Sequence, residues 1–155
     1  MTTRCNWIVI ANAARARIIE VGAVDGACRH VADLVHPESR LTGTEQAALH
    51  GGDRPGRVVG IGHGAGNASY QPHTDPRRRE HDRFAREVAA AVDEGTAKGR
   101  LAGLILVASD PFLGRLKSSL GEQSLKLLLR TVVSDFTTLP DAEVLRRLSS
   151  ATEQP

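Results

Sequence analysis

Residues 7–35, WIVIANAARARIIEVGAVDGACRHVADLV, contain three apolar segments separated by short polar or glycine-containing turns. The first apolar run, Trp7 to Ala11, has the length and β-branched content of a buried strand. Arg17 to Val21 and Cys28 to Val35 are predicted as the second and third strands, and Asp25-Gly26 between them is a hairpin-turn signal. Connections this short join antiparallel neighbours. The sequence therefore predicts a three-stranded antiparallel meander.

Helices alternate with strands in the second half of the chain. Asp75-Pro76 supplies an N-cap and a first-turn proline for a helix to about Ala97. Leu101 to Ala108 predicts a buried strand of the parallel type. The remaining predictions are a helix at about 111–119 capped through Asp110, a helix at 122–129, a strand at 130–139 and a helix from 140 to about 148. This order predicts an α/β fold with a five-stranded mixed sheet and helices on its faces, the element order of ribonuclease-H-like folds.

The segment between the meander and the first helix, residues 38–77, has a different character. It is rich in Gly, Pro, His and Arg and shows no sustained periodicity. Most loops in compact domains have about 4–6 residues, so a loop of about 40 residues is expected either to carry function or to be disordered. We therefore predict a single domain over residues 1–150 that contains this loop, and a frayed tail at 151–155.

Composition narrows the classes of function. The 155 residues suffice for one sizeable core, and a net charge of +2 excludes a strong polyelectrolyte. Of the 20 basic residues, 17 are arginines, whose planar forks suit phosphates and carboxylates. Two cysteines without a CxxC motif predict buried structural thiols and no disulfide, and with no signal-peptide pattern they favour a cytoplasmic location. No apolar stretch reaches the length of a membrane span.

An enzyme is one alternative. A ribonuclease-H-type nuclease needs carboxylates after the first strand, in the first helix and after the fourth strand, converging on two metal ions. Asn12 stands at the first of these places, so the acid is absent there, and Glu80 and Asp110 remain as weak catalytic candidates. Asp110 is explained equally well as the N-cap of the helix that follows it.

Metal and nucleotide sites have little support. Five of the six histidines fall in the long loop or at its borders, without the spacing of helical metal ligands. The alternating glycines from Gly60 to Gly66 match no phosphate-loop motif. We therefore predict no metal ion and no cofactor.

Binding residues are expected among the arginines of the first turn and in the long loop. Five Phe, Trp and Tyr residues offer few platforms for stacked bases, so RNA contacts would be made to phosphates. A preformed loop pocket would favour a small ligand or catalysis, whereas the alternatives are the ribosome or RNA and another protein. The candidates are Arg15, Arg17, His36, Arg40, Asp53, Arg54, Arg57, His63 and Tyr70.

Motifs along the chain resemble those of a bacterial family, the host attachment proteins, which are described as required for attachment to host cells. The more specific motifs are Ala14-Arg-Ala-Arg17 in the first turn and Asp53-Arg-Pro-Gly-Arg57 in the loop. The resemblance runs from about Trp7 to Leu148. It also rests on His36-Pro37, Ser39-Arg40, Tyr70, Pro72, Thr74, Pro76, Glu80, Phe84-Ala85, Leu106-Val107-Ala108, Leu113-Gly114, Leu116 and Asp135-Phe-Thr-Thr-Leu139.

This resemblance implies a relation to the middle domain of eukaryotic and archaeal release factors, which has a ribonuclease-H-like fold. Release factors use a Gly-Gly-Gln loop at the peptidyl-tRNA ester, whereas this chain has Gly51-Gly-Asp53 and Gly121-Glu-Gln123. Asn12 also replaces the usual Asp of the family. The resemblance therefore implies a translation-related, non-catalytic module that binds RNA, the ribosome or a protein and affects attachment indirectly. The enzyme alternative is a hydrolase using the long loop, or a degenerate nuclease.

Overall fold

A computed structural model describes residues 3–22, 24–36 and 76–152. Within these ranges there are five strands: β1 Cys5–Ala11, β2 Arg15–Val21, β3 Cys28–Val35, β4 Leu101–Ala108 and β5 Leu128–Val133. They form one sheet in the order β3-β2-β1-β4-β5. The helices are α1 Pro76–Ala97, α2 Phe112–Ser119, α3 Glu122–Lys126 and α4 Asp141–Thr152.

The sheet is mixed, with the meander at its N-terminal side. β2 pairs antiparallel with both β1 and β3, whereas β4 pairs parallel with β1 and β5. This confirms the predicted α/β class and the five-stranded mixed sheet. The ribonuclease-H-like label, and the division into one domain with a loop at 38–77 and a tail at 151–155, stay predictions.

Two apolar layers enclose the sheet. Side chains alternate between the faces of a strand, so Trp7 and Val9 of β1 pack beneath α1 and α2, while Ile8 and Ile10 face α4. β1 lies in the middle of the sheet and is covered on both sides, which explains its unbroken apolar run. On one side the helices contribute Phe84, Val88, Val92, Leu113 and Leu116, and on the other Val144 and Leu148.

The turn at the end of α1 follows the sequence prediction. The helix ends at Ala97, and Gly99 adopts a positive φ of 72°. That conformation suits glycine and satisfies the last helical carbonyls. Here the N–H of Arg100 bonds to the carbonyl of Gly95 at 3.0 Å.

The predicted boundaries around β5 are wrong. The strand covers Leu128–Val133 rather than 130–139, and the preceding helix ends at Lys126 rather than 129. Leucines near 127–129 have high helix propensity, but pairing with β4 prevails, beginning with the 2.8 Å bond from Leu104 N–H to the Leu127 carbonyl. After Val133, side-chain hydrogen bonds of Asp135 turn the chain.

Three further expectations also need correction. α2 begins at Phe112 with Pro111 at its N-cap, and no side chain caps it, so Asp110 is not the predicted cap. α4 continues to Thr152, beyond the predicted end near Leu148. Cys5 and Cys28 are free thiols that are half-buried rather than buried.

Candidate functional site

Three polar side chains meet where β1 and β5 end. The Asn12 amide nitrogen donates to the Asp135 carboxylate at 3.0 Å and to the Thr137 hydroxyl at 3.2 Å. The Asn12 amide oxygen accepts the backbone N–H groups of Ala14 and Arg15 at 2.8 and 2.9 Å. Asn12 therefore closes the β1–β2 turn and ties it to the segment after β5.

Asp135 is stabilised as an anion in this cluster. Partial burial raises its pKa, but hydrogen bonds from Thr137 and Asn12 and the charge of Arg15 outweigh burial. The pKa therefore lies below the ordinary value of 3.8. The cluster holds one carboxylate and one neutral amide at the edge where a two-metal nuclease would need several acids.

The sequence held a signal for this cluster. The carboxyl ends of parallel strands meet at one edge of a sheet, and polar residues that follow such strands commonly line a site there. Asp135 was not recognised as a residue of this cluster, because the last strand was predicted to continue to residue 139 and Asp135 then lay within the strand.

Arg15 and Arg17, both predicted to bind a partner, line a cleft of about 320 Å³. Arg17 Nε lies 2.9 Å from an Asp141 oxygen, and its Nη2 donates to the Leu139 carbonyl at 2.7 Å. Its side chain is 20% exposed, so Arg17 mainly anchors the start of α4 to the sheet. Asp33 lines the same cleft, and Asp135 and Asp141 balance the two arginines. This cleft therefore offers little net charge to an anion.

His36 and Glu80 form a buried pair. The His36 Nε2 atom lies 2.7 Å from a Glu80 oxygen, and the two side chains are only 8% and 5% exposed. The Phe84 ring packs against the imidazole with centroids 5.2 Å apart. The sequence assigned these residues to separate roles, binding and catalysis, whereas the structure joins them between the end of β3 and α1.

Within the described part of the chain, exposed arginines recur along α1, and Arg83 Nη1 lies 3.9 Å from a Glu80 oxygen. The first turn of α1 contains no acidic residue. Arg79, Arg83 and Arg86 follow at four- and three-residue spacing, which places them on one side of the helix. All three are exposed, while Phe84 and Val88 point into the core. We call Arg79, Arg83 and Arg86, together with Arg115 of α2, the arginine face.

A cleft of about 480 Å³ separates α1 from α2 along this face. Asp82 and Arg86 line it from α1, and Arg115 and Ser118 line it from α2. Arg115 Nε lies 3.5 Å from an Asp82 oxygen. The Arg115 Nη1 atom is buried and has no hydrogen-bond partner among the described residues. Two guanidinium groups thus share the cleft with one carboxylate.

The two acidic candidates, Glu80 and Asp110, are not brought together in the described part of the chain. Asp110 is exposed after β4, and no hydrogen bond or ion pair connects it with Glu80 within the described ranges. In residues 3–22, 24–36 and 76–152, no three or more His, Cys, Asp or Glu side chains are placed to hold a metal ion. Candidates that lie outside the described residues are Arg40, Asp53, Arg54, Arg57, His63 and Tyr70.

Comparison with known proteins assigns the family. Residues 7–148 match the model of the family described as "protein required for attachment to host cells". The chain belongs to this family. A search of curated proteins found no match.

Among solved structures, this chain is similar to the one titled "Crystal structure of archaeal translation termination factor, aRF1". The TM-score is 0.46 and the sequence identity 13%. The alignment covers 97% of this chain and 39% of the aRF1 chain, so this chain spans about two fifths of that protein. Within the part of the chain that the structure describes, no helix is long and apolar enough to cross a membrane.

Proposed function

We propose that this member of the host attachment family is a non-catalytic module that binds RNA, including RNA of the ribosome, and affects attachment indirectly. The observation that carries the proposal is the arginine face. Arginine recognises phosphate through a planar fork, and phosphate contacts supply most of the affinity in non-specific nucleic-acid binding. The loop arginines Arg40, Arg54 and Arg57, which lie outside the described residues, would add charge of the same sign.

The surroundings of the acidic candidates support a non-catalytic role. A general acid, base or metal ligand must reach the substrate. The Glu80 side chain is 5% exposed and is engaged by His36. Asn12 stands where a nuclease would carry its first acid, and both groups of its amide are hydrogen-bonded.

The test is binding of ribosomes and of RNA over a salt series. We expect wild-type affinity to fall as salt rises. Arg83→Ala/Arg86→Ala on the arginine face, and Arg54→Ala/Arg57→Ala in the loop, should each weaken binding and reduce the logarithmic salt slope by about one for each lost phosphate contact. The matched control is Arg146→Ala/Arg147→Ala, because these α4 arginines are both paired with Glu143. Absence of wild-type binding at low salt, or binding that is indifferent to salt, would refute the proposal.

A further inference from the structure

The aromatic residues of the described chain are withdrawn from solvent. Trp7, Phe84 and Phe112 are buried in the core. Phe136 is half-buried, and the Arg147 guanidinium lies 5.5 Å from its ring centroid. Proteins that read unpaired bases stack them on exposed rings. Over residues 3–22, 24–36 and 76–152, no Phe, Tyr or Trp offers such a platform.

We infer that the arginine face and the α1–α2 cleft bind the phosphate backbone of base-paired RNA. This inference rests on the proposed function and names its ligand class. In a duplex the bases are already stacked on one another and need no aromatic side chain of the protein. A surface with arginines and no exposed ring is therefore sufficient to bind it. A duplex also presents two charged strands, which raises the density of phosphates that the arginines meet.

The spacing of the arginine face suits a row of phosphates. With a rise of about 1.5 Å per residue, Arg79 and Arg86 are separated by roughly 10 Å along the helix axis. Arg83 lies between them on the same side, so the three arginines form one row along the helix. Arg115 extends the surface across the cleft to α2. Arginines are among the usual donors to phosphate oxygens.

Asp82 is the acidic residue in the cleft and opposes an anion. It lies 3.5 Å from Arg115 Nε, so it reduces the charge that this arginine can offer. Asp82→Asn removes the carboxylate and leaves both guanidinium groups of the cleft. If phosphate binds here, this variant binds duplex RNA more tightly than the wild type does.

The experiment measures the affinity of the full-length protein for three probes of one sequence: a duplex RNA of 20 base pairs, its unpaired RNA strand, and the duplex DNA. With a logarithmic salt slope of about 0.9 per phosphate, each phosphate contact makes binding at 0.15 M salt about fivefold tighter than at 1 M. Arg83→Ala/Arg86→Ala should therefore bind duplex RNA roughly 25-fold more weakly, with a slope lower by about two. Asp82→Asn should bind about fivefold more tightly. Arg146→Ala/Arg147→Ala, on α4, should change little.

The outcomes separate this inference from the proposed function. Stronger binding to the unpaired strand, or unchanged binding by the Arg83/Arg86 variant, overturns the inference and leaves RNA binding in place. Failure of every RNA to bind overturns the proposed function itself, whereas equal affinity for duplex DNA overturns only the assignment of base-paired RNA as the ligand. Circular dichroism of each variant confirms that it is folded. Preference for duplex RNA, with opposite effects of the arginine and Asp82 substitutions, supports the inference.

Discussion

At the scale of single residues, two glycines in helices experience opposite surroundings. A Cβ atom at Gly95 of α1 would lie 2.9 Å from Trp7 Cζ2, which is too close for an ordinary contact. The Trp7 residue is only 2% exposed and is held in the core. At Gly114 of α2 it would meet nothing within 4 Å. The Trp7 ring also has the Arg100 guanidinium 5.2 Å from its centroid, so it has little room to shift.

We expect Gly95→Ala to lower the free energy of unfolding by about 1–2 kcal/mol, because overpacking outweighs the gain in helix propensity. Gly114→Ala, the matched control, should raise it by about 0.5–1 kcal/mol through propensity alone. Urea denaturation of the two variants measures both changes. A stabilised Gly95→Ala protein would contradict the packing of α1 on Trp7.

Asn12 sets the charge of the strand-end cluster. The depressed pKa of Asp135 contributes stability that is present above its unfolded pKa and is lost as the pH falls through the folded pKa. Asn12→Asp replaces the amide donor with a second carboxylate beside Asp135. Two adjacent carboxylates raise the pKa of one of them above its unfolded value. The loss of stability in the variant is therefore largest at neutral pH and becomes smaller once that carboxyl takes up a proton.

We expect Asn12→Asp to be less stable than the wild type by about 1–2 kcal/mol at pH 7. The deficit should fall by more than half at pH 4. Denaturation curves at the two pH values provide the measurement. Asn12→Ser keeps an acceptor for the turn without a charge, so its deficit should depend little on pH. Equal pH dependence of both variants would contradict the hydrogen bond between Asn12 and Asp135.

At the scale of elements, the docking of α4 is linked to a thiol. Burial is the main cause that raises the pKa of Cys28 above 9.0, followed by the Asp141 carboxylate at the start of α4. Asp141→Asn should therefore lower this pKa and speed alkylation of Cys28 by iodoacetamide at pH 8 by about threefold or more, since the thiolate is the nucleophile. Mass spectrometry measures the rate, with Cys5 as the internal reference. An unchanged ratio of the Cys28 and Cys5 rates would contradict the effect of the Asp141 carboxylate on the Cys28 thiol.

Elements that depend on local patterns were predictable from the sequence. The buried strands β1 and β4 agree with apolar runs, and α1 includes the predicted first-turn proline Pro76. The predicted cap, Asp75, lies outside the described residues. The boundary between α3 and β5 was not predictable, because leucine suits both states and pairing with β4 decides. The end of β5 depends on hydrogen bonds from Asp135 to Thr137, which a β-rich stretch of sequence conceals.

Contacts between distant residues explain what the sequence missed at the candidate site. His36 and Glu80 are 44 positions apart, and no local pattern links them. Arg17 contacts Asp141 and Leu139 only in the folded chain, which no local pattern shows, and its role in binding a partner stays a prediction. The stripe of Arg79, Arg83 and Arg86 was readable from helical spacing alone. Its neighbour Arg115 required the packing of α2 on α1.

At the scale of the whole molecule, the His36–Glu80 pair joins the end of β3 to the beginning of α1, on either side of residues 37–75. Glu80 lies about one helical turn after Pro76, and its carboxylate is 2.7 Å from His36. The two ends of the 39-residue segment are therefore held close together by described residues. A short linker would span them, and shortening a closed loop lowers the entropy cost of folding by about 0.6 kcal/mol for each halving of its length.

Replacement of residues 37–75 by an eight-residue Gly/Ser linker should therefore leave a cooperatively folded protein, more stable by about 1 kcal/mol. Glu80→Ala should lower the free energy of unfolding by roughly 3 kcal/mol in both the full chain and the shortened one, because it leaves the buried His36 side chain without this partner in each. Urea denaturation of these four proteins tests both statements. A shortened chain that fails to fold, or a Glu80→Ala cost that disappears in it, would place the loop within the structural core and contradict closure by this pair.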